Sequence, residues 1–160
     1  MDWSDEMTIL SRDVLPHCGP YIEFADCPKR LEIGEHGWPA RPLSEEYLFF
    51  EMGDDLLGAI CSLTKIPCFF DIYEYIQVDE PQEIRAFAVE SLRWATQLEQ
   101  CSIRDYEKEL WICQDSPYIS MDGVPSAAGL KADLIETLLF ITGRMNRMAD
   151  KGRCLVVVGI

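Results

Sequence analysis

Residues 44–82 read SEEYLFFEMGDDLLGAICSLTKIPCFFDIYEYIQVDEPQ and combine the densest apolar content of the chain with its most uneven charge. From Glu45 to Lys65, apolar residues recur at three- and four-residue spacing, which predicts one side of a helix that faces a core. The residues of this apolar stripe are Leu48, Met52, Leu56, Ala59, Ile60 and Leu63. The opposite side carries Glu51, Asp54 and Asp55, so the pattern predicts an acidic, solvent-facing helix surface.

The same residues allow a second interpretation, in which Tyr47 to Met52 form a strand, Gly53 a turn and Asp54 the cap of a shorter helix. Gly53 and Gly58 each weaken a single helix by about 1 kcal/mol relative to Ala. We favour the single helix because its apolar stripe continues through Gly53.

A β-rich run, Cys68 to Val78, follows Pro67 and ends against Asp79, Glu80 and Pro81. Alternation along a strand would give it one core face and one face of mixed polar and aromatic character. The core face would hold Cys68, Phe70, Ile72, Glu74, Ile76 and Val78, and the mixed face Phe69, Asp71, Tyr73, Tyr75 and Gln77. Tyrosines beside acids are typical of a protein-binding surface. The alternative is a strand covered by a helix, with tyrosine hydroxyls at its rim.

The remaining chain predicts further helices and strands from its caps, breakers and periodicity. Before the central stretch, we expect a helix within residues 2–15 and strand pieces at Tyr21–Ala25 and Arg30–Ile33, which form a hairpin or two edge strands. After it, a long helix begins at Asp79–Gln82 with a capping box, and either this helix bends or a new helix, capped by Ser102, runs to Cys113. A loop at Asp115–Gly129, a helix from there to about Asp150 and a final strand in Arg153–Ile160 complete the chain. The LVVV run of that last strand is typical of a strand covered on both faces.

The pattern as a whole predicts an α+β fold in a single globular domain spanning residues 1–160. Four to five helices would pack with a small mixed sheet. The alternative is a mostly α fold with a short hairpin.

Acids outnumber bases by 28 to 14, which gives the 160-residue chain a net charge of −14. Residues 43–83 hold ten acids and one base, whereas residues 119–160 hold four acids and five bases. A charge of this sign argues against binding nucleic acid or an anionic membrane through general electrostatics, and it favours a basic protein partner.

Seven cysteines, an odd number without paired spacing, predict reduced thiols in a cytoplasmic protein. The acidic N-terminal sequence lacks the pattern of a secretory signal, and no apolar run approaches the roughly 20 residues of a membrane helix.

No motif for catalysis or cofactor binding stands out, and we expect neither a cofactor nor a metal. His17 and Cys18 are adjacent, but neighbouring residues of an extended chain point to opposite sides. The set His17, Cys18, Cys27 and His36 lacks the spacing of a zinc site. Residues 123–131 resemble a phosphate-binding loop in composition, but their glycine spacing differs from that of the motif, so we exclude such a loop.

The acids that we expect to bind a partner lie on the predicted helix and strand, together with two tyrosines. They are Glu51, Asp54, Asp55, Asp71, Tyr73, Glu74, Tyr75, Asp79 and Glu80. In size, charge and lack of catalytic motifs, the chain resembles the small acidic immunity proteins with which bacteria neutralise toxins, many of them basic nucleases. The resemblance implies a noncatalytic protein that inhibits a cognate toxin by masking its basic surface.

Two other functions remain open at this point. One is a small cytosolic enzyme or ligand-binding protein that uses the acids and tyrosines of residues 68–78. The other is an adaptor or oligomeric scaffold anchored by Trp38, Trp94 or Trp111.

Overall fold

The computed structural model describes residues 21–37, 46–71, 73–110 and 126–159. These ranges contain, in chain order, β1 (Tyr21–Cys27), β2 (Leu48–Gly53), α1 (Asp54–Thr64), β3 (Tyr75–Val78), α2 (Pro81–Gln100), α3 (Ile103–Glu107), α4 (Ala127–Asp150) and β4 (Cys154–Gly159). The α+β class is therefore confirmed. The helix within residues 2–15, the loop through residue 125 and the end of the helix at Cys113 are predictions that lie outside the described residues.

The strands form one sheet in the order β2-β1-β4-β3, with every neighbouring pair antiparallel. The expectation of a mixed sheet is therefore wrong for the described strands. β1 is an interior strand between β2 and β4, so the predicted hairpin or edge pairing with Arg30–Ile33 is also wrong. Around Leu31, the backbone instead bonds the Gln77 side chain, which accepts from Leu31 N at 2.7 Å and donates to Leu31 O at 3.4 Å.

The single helix predicted from Glu45 to Lys65 is wrong, and the alternative of a strand followed by a shorter helix is right in outline. Phe50 pairs with Phe24 of β1, and Met52 pairs with Ile22. These side chains alternate toward the helices as a strand requires, and the backbone gains ladder hydrogen bonds to β1. Gly53 is the N-cap of α1, which begins at Asp54.

The strand predicted from Cys68 is shorter than expected, since only Tyr75–Val78 forms β3. Within β3 the predicted faces are right: Ile76 and Val78 join the core under the helices, while Tyr75 packs on the opposite face of the sheet. The preceding segment leaves the sheet because aromatic contacts to α2 hold it instead: the Phe69 ring centroid lies 4.8 Å from that of Trp94 and 5.5 Å from that of Phe87.

The two long helices each bury one side. The buried residues of α2 are Ile84, Ala88, Ser91, Trp94, Ala95 and Leu98, and those of α4 include an apolar stripe of Leu130, Leu134, Leu138, Ile141, Met145 and Met148. The N-cap residue of α2 is Glu80, without a side-chain cap hydrogen bond, so the capping box predicted at its start is wrong. Ser102 does form a capping box with Asp105, which makes α3 a helix separate from α2. α4 ends where Gly152 adopts a φ of 64°.

Buried side chains from all four strands and all four helices form one contiguous cluster on the helical side of the sheet. A smaller cluster covers the other side, where Cys154, Val156 and Val158 of β4 pack with Ala25 and Cys27 of β1. The prediction that the last strand is covered on both faces is therefore confirmed.

One buried carboxylate joins α4 to the sheet. Asp26 of β1 accepts a hydrogen bond at Oδ2 from Nε of Arg144 at 3.0 Å, and Nη2 of Arg144 forms an ion pair with the same oxygen at 2.9 Å. Arg153, just before β4, pairs with the other carboxylate oxygen and donates from Nη2 to the Asp26 carbonyl at 3.0 Å. The charge of Asp26 is therefore balanced by two guanidinium groups inside the fold.

Candidate functional site

The acids expected on one surface are divided among three places in the fold. Glu51 was expected on a solvent-facing helix, but it lies on β2, opposite Glu23 of β1, and is 8% exposed. Because a strand alternates its side chains, Glu51 points to the face of the sheet opposite Phe50 and Met52. The prediction that Glu51 is part of an exposed acidic surface is therefore wrong.

A second group lies where β3 leads into α2. Asp79 and Glu80 are exposed, and Asp79 pairs with Arg30 at 3.0 Å. Tyr75 is half-buried, donates from its hydroxyl to Gln77 Oε1 at 2.9 Å, and has its pKa raised to about 12 by burial. Tyr75 therefore packs on the face of the sheet opposite the helices, with its hydroxyl engaged.

Tyr73 and Glu74 precede β3 in the chain. Both are exposed, and 75% of the Tyr73 surface is accessible. The Tyr73 backbone N–H donates to the Asp71 carboxylate at 2.8 Å, which fixes the turn between Asp71 and β3.

The third place is a groove between α1 and the segment that follows it, called here the α1 groove. It is shallow and largely open to solvent, with a volume of about 620 Å³. Its lining residues are Asp54, Leu57, Gly58, Cys61, Cys68, Phe69, Phe70 and Asp71. The first four recur at three- and four-residue spacing and so share one face of α1. The groove brings together Asp54 and Asp71, which the sequence placed on separate elements, and the backbone of Asp55 continues α1 beside Asp54.

A tight turn connects the two walls of the α1 groove. Lys65 ends α1 in the left-handed conformation, with a φ of 57°. The Thr64 hydroxyl donates to Ile60 O at 2.8 Å and accepts from Ile66 N at 3.1 Å. Beyond this turn, the Cys68 backbone N–H donates a hydrogen bond to the Cys61 sulfur of α1.

Aromatic packing holds the second wall. Phe69 packs on α2 through Phe87 and Trp94, while the Phe70 ring lies edge-on to Phe24 of β1 at 5.8 Å between centroids. Trp94 Nε1 donates to the carbonyl of Ile66 at 3.4 Å. The groove wall is thereby anchored to both the helical layer and the sheet.

Two thiols lie in the groove wall in their protonated form. Burial raises the pKa of both Cys61 and Cys68, although a hydrogen bond from the Cys68 backbone N–H lowers the pKa of Cys61 in part. The Cys68 thiol donates to Phe70 O at 3.0 Å. Both groups are thus neutral at pH 7 and do not supply a thiolate nucleophile there.

The floor of the groove is open at Gly58. A Cβ built on Gly58 would meet no heavy atom within 4 Å. The groove therefore offers apolar walls, a bare backbone floor and two carboxylates, with no basic residue among its eight described lining residues.

The described residues give no support to a cysteine nucleophile at Cys18 or to a zinc site. His17 and Cys18 lie outside them, and Cys27 is buried on β1 opposite Cys154. Within residues 21–37, 46–71, 73–110 and 126–159, no group of three or more His, Cys, Asp or Glu side chains is placed to hold a metal ion.

The proposed scaffold anchor Trp94 is 1% exposed, so it is wrong as an exposed anchor. Trp38 and Trp111 lie outside the described residues. None of the helices in the described part of the chain has the length and apolar character needed to cross a membrane.

Comparison of the chain with protein-family models, with curated proteins and with solved structures gave no match in any of the three.

The sequence signal for the α1 groove was present but easily missed. Asp54, Leu57, Gly58 and Cys61 have helical spacing once α1 is taken to begin at Asp54. The opposite wall depends on contacts between Phe69 and α2, which lie 18 and 25 residues away in the sequence, at Phe87 and Trp94. Local pattern alone does not reveal such a wall.

Proposed function

We propose that this protein is a noncatalytic acidic binding protein of the immunity type, which inhibits a basic toxin domain by masking its surface. The observation that carries the proposal is the α1 groove, an acidic concavity in the most acidic part of the chain. Residues 43–83 have one base, Lys65, and it ends α1 at the end opposite Asp54. Among the described residues, neither Asp54 nor Asp71 forms an ion pair, and Asp71 accepts a hydrogen bond from the Tyr73 backbone N–H.

Charge distribution supports the choice of a basic protein. Further exposed acids lie outside the groove at Glu74 and Glu80. Acidic side chains on a protein surface speed encounter with a basic partner and disfavour acidic ones. The exposed ring of Tyr73, next to Asp71 in the same turn, supplies the aromatic contact area common at the centre of protein interfaces.

Native co-purification followed by intact-mass measurement tests the proposal. We expect a stoichiometric polypeptide with a basic isoelectric point, released by high salt because surface charge contributes to the complex. A protein that purifies alone, or with an acidic partner, would contradict the proposal.

The α1 groove gives less support to the alternative of a small-molecule-binding protein, because it is open to solvent, whereas pockets for such ligands enclose most of the ligand surface. The same mass measurement, made under native and denaturing conditions, would reveal this function by a bound small mass that is lost on denaturation.

A further inference from the structure

We infer that the α1 groove receives one basic side chain, Arg or Lys, of the protein partner; this inference rests on the proposed function. The proposed function requires only an acidic surface. The inference adds the place and the chemistry of the contact: an apolar stem along the groove and a cationic head between Asp54 and Asp71.

The shape of the groove suits such a side chain. Leu57 and Phe69 supply apolar walls, and Gly58 leaves the floor without a side chain. Arg and Lys bury their methylene stems against apolar surface while the charged head stays at a polar rim. The carboxylates of Asp54 and Asp71 are the acidic groups among the groove-lining residues.

The sign of the field decides between a cationic and an anionic occupant. The N-terminus of α1 contributes roughly half a positive charge, which alone would favour an anion. Asp54, the first residue of α1, and Asp71 together contribute two negative charges against it. The thiols of Cys61 and Cys68 are neutral, so the groove as a whole attracts a cation.

The groove is also held in place before any partner binds. The Thr64 hydrogen bonds fix the turn, and Phe69 and Phe70 anchor the second wall to α2 and β1. A preformed groove avoids much of the entropy cost of ordering a binding loop. A single side chain can therefore bind without first ordering a loop.

The probe is the peptide acetyl-Gly-Arg-Gly-amide, and its neutral control is the same peptide with citrulline, which keeps the shape of Arg without its charge. Each is titrated into the isotopically labelled full chain and followed by backbone amide chemical shifts. The expected result is a saturable shift confined to residues 54–61 and 68–71 with the Arg peptide. The citrulline peptide should bind at least about tenfold more weakly, because charge-assisted hydrogen bonds are lost.

Two variants test the groove itself. Gly58→Leu fills the floor without a close contact at its Cβ, and Leu is the better helix former, so the fold is retained. Asp54→Asn with Asp71→Asn removes the charge. The matched control is Glu99→Gln with Glu107→Gln, which removes the same charge at two exposed positions outside the groove lining.

The inference predicts a loss of about tenfold or more for both groove variants and less than about twofold for the control. Equal binding by the wild type and Gly58→Leu would overturn it, as would shifts centred elsewhere or equal binding of the Arg and citrulline peptides.

Binding of the natural partner to the wild type and to Gly58→Leu tests this inference separately from the proposed function. A basic partner that binds Gly58→Leu and the wild type equally would leave the proposed function standing and overturn the groove contact. If no basic polypeptide co-purifies, the proposed function fails, while the peptide titration still decides whether the groove accepts a basic side chain.

Discussion

Replacing Asp26 with Asn should cost this protein a large share of its stability. The substitution keeps the volume of the side chain and removes the negative charge that two arginines share. Asp26 has 8% side-chain exposure, whereas the side chains of Arg144 and Arg153 are 29% and 31% exposed. The amide also presents N–H donors where both neighbours are donors.

The size of the effect follows from this difference in exposure. Removing one partner of a buried ion pair costs about 3–5 kcal/mol, because a charge is left uncompensated. Water reaches part of both guanidinium groups, so we expect a decrease of about 2–4 kcal/mol in the free energy of unfolding. That is a large fraction of the roughly 5–15 kcal/mol typical of a whole domain.

The matched control is Asp79→Asn, which breaks the pair with Arg30. Those two side chains are 42% and 54% exposed, and the cost should be less than about 1 kcal/mol. Urea denaturation of the wild type and both variants measures the difference, with unchanged slopes showing that the unfolded states are comparable. A decrease of less than about 0.5 kcal/mol for Asp26→Asn, or one equal to that of the control, would refute the reasoning.

Three further results are expected. Deletion of residues 155–160 should abolish cooperative thermal unfolding, because an interior strand loses four buried branched side chains worth about 1.5–3 kcal/mol each. A cooperative thermal transition at the wild-type temperature would contradict this expectation. Burial, and to a lesser extent the negative charge of Glu136, raises the pKa of Asp133 to about 6, above its unfolded value of about 3.9. The free energy of unfolding should therefore fall as the pH rises from about 4 to 6, and Asp133→Asn should remove about 1–2 kcal/mol of that fall. An unchanged stability–pH curve for the variant would count against this expectation. Thiol titration of anaerobically purified, denatured protein should find all seven cysteines reduced; Cys27, Cys61, Cys68, Cys101 and Cys154 are free thiols in the structure, and recovery of five or fewer would contradict the expectation.

The long helices and the last strand could be predicted because their patterns repeat often enough to exclude other structures. The α4 stripe runs over six apolar positions, all of them buried. The LVVV run of β4 is β-branched on both faces and is covered on both faces. Ser102 has the local chemistry of a cap, and its capping box depends on residues only three apart.

The stretch from Tyr47 to Thr64 was misread because its apolar residues fit two periods. Leu48 and Met52 are four apart, as on a helix, but Phe50 and Met52 also alternate as on a strand. What selects the strand is its pairing with β1, where Phe50 lies opposite Phe24. That pairing is a tertiary contact, and neither segment contains it alone. The same misreading placed Glu51 on the surface.

The α1 groove could be predicted only in part for the same physical reason. The acids of α1 were identified as candidate binding residues, and Asp54 does line the groove. The position of Asp71 in the same groove as Asp54 depends on the turn at Thr64 and on the packing of Phe69 against Trp94. Long-range packing of this kind has no local sequence period.

The central claim is that the carboxylates of the α1 groove draw a basic partner to this protein. Its most direct test is the association rate of the co-purified basic partner, measured against ionic strength for the wild type and for Asp54→Asn with Asp71→Asn. Glu51 is left unchanged because it is buried. The wild-type rate should fall steeply with salt, and the variant should associate more slowly with a flatter salt dependence, because surface charges act mainly on encounter. Equal rates and equal salt slopes for the two folded proteins would contradict the claim.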